Sequence, residues 1–342
     1  MKRRFLYIMD PIENVDPKGD TTFDFMVESQ SRGVENHVCG IDQLSLFNGK
    51  GVAHTRIATV YPESDGPGHH PHVVLETESV RPFDDFEVMW MRKDPPVNEL
   101  FHVATLLLEK HDPKKTLVLN HPSGLLRGNE KLWALFAPQL GPETVISSQQ
   151  HVLLKATRKW KRCVLKPLSE AGGAGVLSFQ ATDKNISSAI ELLSAGGTRP
   201  IIAQEYLDSV RTGDKRIILI GGEPVGAILR IPPPHDNRAN MHVGGTVQQV
   251  ELTDKDKAIC AHLKPQLLEF GFHFVGIDVI GDKLTEVNFT SPTGVQEIDA
   301  VEHREGPNRV RALMMDYVDK LLQQRREADE DQNTNTDAFD TV

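Results

Sequence analysis

The segment Val275-Gly276-Ile277-Asp278-Val279-Ile280-Gly281-Asp282-Lys283-Leu284-Thr285-Glu286-Val287-Asn288-Phe289 constrains the fold more than any other stretch of the chain. Two apolar runs flank Gly281-Asp282, the composition of a β-hairpin. Side chains alternate between the faces of a strand, so Val275, Ile277 and Val279 share one face of the first strand. Val287 and Phe289 share one face of the second. A two-residue loop at 281–282 would pair Ile277 with Glu286 and set a core residue beside a carboxylate. A three-residue loop, 281–283, pairs Ile277 with Val287 and Asp278 with Glu286. A one-residue slip inverts every side chain, so the hydrophobic pattern selects the second register. Asp278, Glu286 and Asn288 then project together from the face opposite the core. Two carboxylates and an amide oxygen are hard ligands, suited to Mg²⁺ that also holds phosphates. A solvated polar face on an edge hairpin is the plainer reading of the same residues.

The rest of the chain alternates strands with helices, the mark of an α/β unit with a largely parallel sheet. Phe5–Met9 reads as a buried strand, Thr22–Ser31 as a helix ended by Gly33, and Val88–Met91 as a second strand. A helix over Phe101–Lys110 and a strand over Thr116–Leu119 follow. The Pro-, Gly- and His-rich stretch Tyr61–Pro71 reads as an exposed loop, and no second cluster supports a metal at His69, His70 and His72. After Pro122 a helical stretch, Asn129–Phe136, opens a new region with strands at Arg162–Pro167 and Ile201–Gln204 and a helix at Ile186–Leu193. From Lys215 the chain turns strand-rich (Arg216–Ile220, Val225–Ile231 and the hairpin), with helices at Asp254–Phe270 and Met314–Gln323. The expected units are 1–122, 123–205 and 206–323, followed by an acidic tail, 324–342. From Arg326 that tail is polar with few large apolar residues, and it is expected to lack structure.

Charge and cysteine usage narrow the function classes. The formal net charge of −10 argues against an extended basic surface for nucleic acid. The local run Arg158–Arg162 reads as a solvated helix end. Cys39, Cys163 and Cys260 lie far apart, without a CxxC pair, as expected of a reducing cytoplasm. The opening Met1-Lys2-Arg3-Arg4 imitates a signal sequence, but its apolar run ends at Met9, and no later run has the length of a membrane span.

Two further constellations point to phosphate and base binding. Lys166-Pro167 runs into Ser169-Glu170-Ala171-Gly172-Gly173-Ala174-Gly175, where glycines let backbone N–H groups approach phosphate oxygens and a nearby ammonium adds charge. Neither a Walker A nor a GxGxxG pattern occurs. Lys131 is a further basic candidate. The apolar strand Ile201-Ile202-Ala203 ends abruptly in Gln204-Glu205-Tyr206-Leu207, a strand end able to present backbone groups to an adenine.

In this order, a basic residue, a strand lysine, a Gly-rich loop, a hinge strand and Asp…Glu-x-Asn resemble the ATP-grasp superfamily. The local wording resembles bacterial glutathione synthetase over roughly residues 1–320. It includes Ile8-Met9-Asp10-Pro11-Ile12, Ala53-His54-Thr55-Arg56, Met91-Arg92-Lys93-Asp94-Pro95-Pro96, Gly213-Asp214-Lys215-Arg216, Leu229-Arg230-Ile231-Pro232 and Thr290-Ser291-Pro292-Thr293. The resemblance implies an α/β fold of the α+β ATP-grasp kind, with an N-terminal parallel-sheet domain and two ATP-grasp subdomains with mainly antiparallel sheets. It implies an ATP-dependent ligase joining γ-glutamylcysteine to glycine through an acyl phosphate, releasing ADP and phosphate. Lys131 and Lys166 would contact ATP phosphates, with Gly172, Gly173 and Gly175 closing above. Gln204, Glu205, Tyr206 and Leu207 would hold adenine, and Asp214 the ribose. Asp278, Glu286 and Asn288 would bind two Mg²⁺ ions, with Mn²⁺ as an alternative. Arg92, Arg230, Ser291 and Thr293 would face γ-glutamylcysteine, in a cytoplasmic homo-oligomer, a tetramer by resemblance, with no nucleic-acid or membrane partner. The rival readings are a ligase for a related peptide substrate and a non-catalytic nucleotide-binding paralogue.

An acyl phosphate must be kept from water, so a lid is expected. Pro232–Thr246 has the length and the Pro and Gly ends of one. Two departures from the family pattern stand out. Ser169-Glu170-Ala171 replaces Asp-Gly-x, and Thr246 stands where an arginine usually follows the lid's Gly-Gly.

Overall fold

The computed structural model describes residues 2–62, 71–168, 172–233 and 245–337. The first unit contains β1 (Arg4–Ile8), α1 (Thr21–Ser31), β2 (Glu35–Cys39), β3 (Leu44–Phe47) and β4 (Lys50–Val60). It continues with β5 (Val73–Leu75), β6 (Ser79–Pro82), β7 (Val88–Met91), α2 (Glu99–Leu108), β8 (Leu117–Leu119) and α3 (Pro122–Arg127). β2, β1, β7 and β8 lie side by side and parallel. Phe5–Ile8 and Val88–Met91 are buried without a break, as strands covered on both faces must be. The sheet is less parallel than its sequence suggests, because β4 adds antiparallel pairs with β2, β3, β5 and β6. Asp20 caps α1 by accepting the Phe23 N–H at 2.7 Å, and Gly33, at φ +79°, turns the chain away after it.

The second unit holds α4 (Glu130–Trp133), β9 (Thr144–Ser147), α5 (Gln150–Lys159), β10 (Arg162–Pro167), β11 (Leu177–Gln180), α6 (Ile186–Leu193) and β12 (Ile201–Glu205). Its antiparallel sheet runs β11-β10-β12-β9. The third unit comprises β13 (Asp214–Ile220), β14 (Glu223–Ile231), β15 (Thr246–Gln249), α7 (Asp254–Glu269), β16 (Phe274–Ile280), β17 (Lys283–Asn288), α8 (Val295–Val301) and α9 (Val310–Asp337). Its antiparallel order is β15-β14-β13-β16-β17.

Burial groups these units unequally. Leu6, Ile8, Met89 and Met91 of the first sheet share a core with Ile217, Ile277, Val287 and Phe289 of the third. Tyr7, Trp90 and Phe25 do the same with Ile228, Val310 and Met314. The second sheet has its own small core around Leu153, Leu165, Ile190 and Ala203. The first and third units are therefore fused by packing; the second unit's sheet has a separate core, while Trp133 of α4 is buried in the shared one.

Two expectations need correction. Asp278 does oppose Glu286, and Ile277 does oppose Val287, but not through a three-residue loop. Ile280 pairs with Lys283, so the turn is Gly281-Asp282 with Gly281 at φ +64°, and a register shift between Asp278 and Val279 leaves Thr285 as the extra residue. A β-bulge absorbs the one-residue mismatch that seemed to demand a longer loop. The second correction concerns the tail, which is helical to Asp337 as the continuation of α9; residues 338–342 lie outside the described residues. Val310, Met314, Val318 and Leu322 anchor that helix in the core, and the following Gln-, Arg-, Glu- and Ala-rich run propagates it cheaply once nucleated. Arg326 Nη2 also lies 2.5 Å from Glu87 Oε1.

Candidate active site

The polar face of the third sheet is assembled by register. Asp214 on β13 opposes Arg230 on β14, and Arg216 on β13 opposes Asp278 on β16, which opposes Glu286 on β17. Gly276 opposes Asn288 one step on. A Cβ at Gly276 would sit 3.1 Å from the Arg216 Cδ, so glycine there leaves room for the arginine to lie across the sheet. Arg216 grips Asp278 with both ends of its fork, Nε to Oδ1 at 2.6 Å and Nη2 to Oδ2 at 3.1 Å, and donates from Nη1 to the Thr293 carbonyl at 2.9 Å. Arg230 Nη2 lies 2.6 Å from Asp214 Oδ2 and 2.9 Å from Asp278 Oδ1. Asn288 donates from Nδ2 to Asp278 Oδ2 and to the Gly276 carbonyl, each at 3.3 Å.

Two lysines reach this face from the second unit. Lys131 Nζ stands 3.5 Å from Glu286 Oε1. Asn129 positions it by capping α4 through Lys131 and Leu132 N–H groups, while its Nδ2 donates to the Leu168 carbonyl at the end of β10. Glu130 stitches α4 to the loop after β17, accepting the Phe289 N–H at 2.7 Å and the Thr290 N–H and hydroxyl at 2.8 Å. Lys166, on β10, donates from Nζ to Gln204 Oε1 at 2.8 Å, and Gln204 Nε2 donates to Thr144 at 2.9 Å. At the end of β12, the Tyr206 ring lies under the Arg162 guanidinium at 3.6 Å. Gly172, Gly173 and Gly175 form a turn after β10 at φ +63°, +82° and +69°. Residues 169–171 of that loop, and 234–244 of the expected lid, lie outside the described residues, as do His69 and His70. Thr246 is the exposed first residue of β15, opposite Ile231.

Burial and neighbouring charge set the protonation of this cluster. Burial raises the Asp278 carboxyl, but Arg216 and Arg230 outweigh it and hold the group below the usual range, ionised at any working pH. Asp214 goes the other way: burial, only partly offset by Arg230, pushes it up to about 6. Lys166 is pulled down by burial, against the attraction of Glu286. Asp214 Oδ1 is buried without a hydrogen-bond partner. Below pH 6 the neutral Asp214 loses its hold on Arg230. Turnover is therefore expected to fall as pH drops through about 6, and Asp214→Asn should abolish that limb; a pH–rate profile of both proteins checks it.

Arg92 stands apart from the charged face, at the junction of the first and third units. Only 4% exposed, it donates from Nε to the Thr22 hydroxyl and from Nη2 to the Pro292 carbonyl, both at 3.0 Å, and Nη1 has no partner. Ser291 and Thr293 flank Pro292, so Arg92 meets the loop that carries both. Burial lowers its guanidinium to about 10, without discharging it near neutrality.

The structure thus brings together Lys131, Lys166, Gln204, Asp214, Arg230, Asp278, Glu286 and Asn288, and adds Arg216, which the sequence reading did not single out. Its signal was simple: Arg216 lies two residues from Asp214 on one strand and so shares its face. Residues 130–303 match the family model described as prokaryotic glutathione synthetase, ATP-grasp domain, and residues 3–126 that described as its N-terminal domain. The chain belongs to the prokaryotic glutathione synthetase family. It is 43% identical over 297 residues to the glutathione synthetase of Thermosynechococcus vestitus, covering 86% of this chain and 93% of the relative. To that of Escherichia coli it is 38% identical over 319 residues, covering 93% and 98%. Among solved structures, the D-cycloserine synthetase DcsG superposes with a TM-score of 0.62 at 14% identity, covering 94% of this chain and 99% of that one. At that identity the likeness concerns the fold. As a member of the glutathione synthetase family, the chain is an ATP-grasp ligase and uses ATP.

Proposed function

We propose that the chain joins γ-glutamylcysteine to glycine, hydrolysing ATP to ADP and phosphate by way of an acyl phosphate. The convergence of Lys131, Lys166, Arg216 and Arg230 on one sheet face around Asp214, Asp278 and Glu286 carries this reading. A carboxylate is a poor electrophile, so its oxygen first attacks the γ-phosphorus. Phosphoryl transfer asks a protein mainly for positioning and charge neutralisation. Lys131 and Lys166 neutralise the phosphates, with the 172–175 glycines above them. Gln204 to Leu207 receive adenine and Asp214 the ribose. Arg230 stabilises the tetrahedral oxyanion formed when the glycine amine displaces phosphate. Arg92, Ser291 and Thr293 orient the acyl substrate, and the unmet Nη1 of Arg92 is a donor awaiting a partner there.

The donor set of Asp278, Glu286 and Asn288 fits Mg²⁺, because all three offer hard oxygens on adjacent strands of one face and Asp278 stays ionised. Bound there, the ions (two by family resemblance, with Mn²⁺ as an alternative) would screen phosphate charge and polarise the phosphoryl group. Asn288, tied to Asp278 through Nδ2, keeps its carbonyl oxygen for that role.

We also assign the protein to a reducing cytoplasm and to a homo-oligomer, a tetramer by resemblance. All three cysteines are free and buried, and no described helix is long and apolar enough to cross a membrane. Leu100, Val103 and Leu106 of α2 are exposed, an apolar helix face that suits a subunit contact. The deciding experiment is an ADP-release assay with each substrate omitted in turn. Release that requires both γ-glutamylcysteine and glycine is expected; release with neither, or with a different acyl or amine partner alone, overturns the reading.

A further inference from the structure

The loop Thr290-Ser291-Pro292-Thr293 is held at successive points by charged side chains from three different units. Glu130 Oε1, on α4, accepts the Phe289 N–H at 2.7 Å and the Thr290 N–H and hydroxyl at 2.8 Å. Arg92 of the first unit donates to the Pro292 carbonyl at 3.0 Å, and Arg216 of the third donates to the Thr293 carbonyl at 2.9 Å. Arg216 stands on a strand and Arg92 directly follows one, so each is placed by a sheet. Glu130 opens a helix of only four residues, too short to be rigid by itself, and its position depends on what α4 touches.

α4 is tied on every side to the charged face. Asn129 Nδ2 donates to the Leu168 carbonyl at 3.2 Å, where β10 gives way to the glycine-rich turn, and Lys131 Nζ stands 3.5 Å from Glu286 Oε1. Trp133, at the far end, is buried against Phe272 and Phe289, with ring centroids 5.5 and 6.3 Å away. Three consecutive residues therefore meet the glycine-rich turn, the 290–293 loop and the carboxylate face. Glu130 and Lys131 share one turn of backbone, so a shift of either carries the other with it. Oε1 receives three donors, a load suited to a carboxylate, whose charge-assisted bonds are about twice as strong as neutral ones. Burial works against that charge, and the donors of residues 289 and 290 support it.

We propose that Glu130 is a positioning residue that locks Lys131 to the loop carrying Ser291 and Thr293, so that nucleotide and acyl substrate bind cooperatively. The proposal rests on the function argued above, which sets ATP phosphates at Lys131 and the acyl substrate at Ser291 and Thr293. Phosphoryl transfer needs the two substrates in register, and a misplacement of about 1 Å can cost about 10²-fold in rate. The coupling is reciprocal, so the factor by which γ-glutamylcysteine tightens the nucleotide is also the factor by which the nucleotide tightens γ-glutamylcysteine. The test is calorimetric titration of the full chain with a non-hydrolysable ATP analogue and Mg²⁺, with and without saturating γ-glutamylcysteine. It is run on wild type, Glu130→Gln and Thr290→Val, beside steady-state kinetics and thermal unfolding of each. In wild type, γ-glutamylcysteine should tighten the analogue about fivefold or more. In Glu130→Gln that ratio should fall below about twofold and kcat should drop about tenfold or more, while the analogue alone binds within about threefold of wild type. Thr290→Val removes one donor and leaves the carboxylate, so it should lose part of the ratio; it carries the test if Glu130→Gln does not fold. A merely structural role would lower the melting temperature and leave the ratio at its wild-type value. That result, or a wild-type ratio near one, overturns the Glu130 assignment and leaves the ligase reading intact. A wild-type chain that releases no ADP with γ-glutamylcysteine and glycine overturns the ligase reading, and the Glu130 assignment with it.

Discussion

Glu286→Gln is expected to leave the fold intact and to lower turnover by about 10²–10³-fold, the usual loss when a preorganised electrostatic group is removed. Glu286 faces Asp278 across the bulged hairpin and neutralises Lys131 at 3.5 Å. It is half-buried, and no apolar contact of the core depends on it, so the melting temperature should move little. The cost should fall on kcat and on the Mg²⁺ concentration needed for half-maximal rate. The KM for ATP should stay level or fall, because the variant leaves Lys131 and Lys166 with one negative partner fewer. A wild-type kcat with an unchanged Mg²⁺ titration would refute the role of Glu286 as a cation ligand.

Arg216→Ala is expected to be the most destabilising single change on this face. Asp278 is 5% exposed and ionised, and Arg216 meets both of its oxygens. Removing one partner of a buried pair costs about 3–5 kcal/mol, because the other charge stays behind without compensation. Arg230 remains 2.9 Å from Asp278, which favours the lower figure, so a fall in melting temperature of about 4 °C follows for a chain of 342 residues. Arg216→Lys should recover part of the stability and less of the activity, since a point charge cannot reproduce the two-ended grip. Thermal unfolding with and without Mg²⁺ is the measurement. If Asp278 is a cation ligand, Mg²⁺ should narrow the gap between Arg216→Ala and wild type; an equal gap in both conditions counts against that role.

The hairpin illustrates how far sequence reaches. Which residues face the core was decided by alternation alone, because Ile277, Val287 and Phe289 have no other way to leave water, and that placed Asp278 opposite Glu286 correctly. How the chain turned was not legible. A bulge at Thr285 and a longer loop give the same facing pattern, and local sequence does not distinguish them. Likewise β3, β5 and β6 are only three or four residues long beside a turn-rich stretch, so the antiparallel pairs they make with the eleven-residue β4 left little trace in periodicity. The tail misled for a related reason: composition measured its polarity, whereas its helicity is inherited from the apolar anchors of α9 upstream.

Sequence by itself determined the candidate site residues and their order along the chain: Lys131, Lys166, the strand end at Gln204, and the Asp278, Glu286, Asn288 set. These are local properties of residue chemistry and two-residue period, and they survive whatever the rest of the fold does. Only the tertiary structure decided which charges meet. Asp214 became a weakly acidic partner of Arg230 and Asp278 a strongly ionised one, although both are aspartates on neighbouring strands, because Arg216 and Arg230 both converge on Asp278. Arg92 acquired its buried, half-satisfied position only when the first and third sheets closed over a common core. Energies of this kind depend on distance and desolvation between residues remote in the chain, and neither quantity exists until the chain has folded.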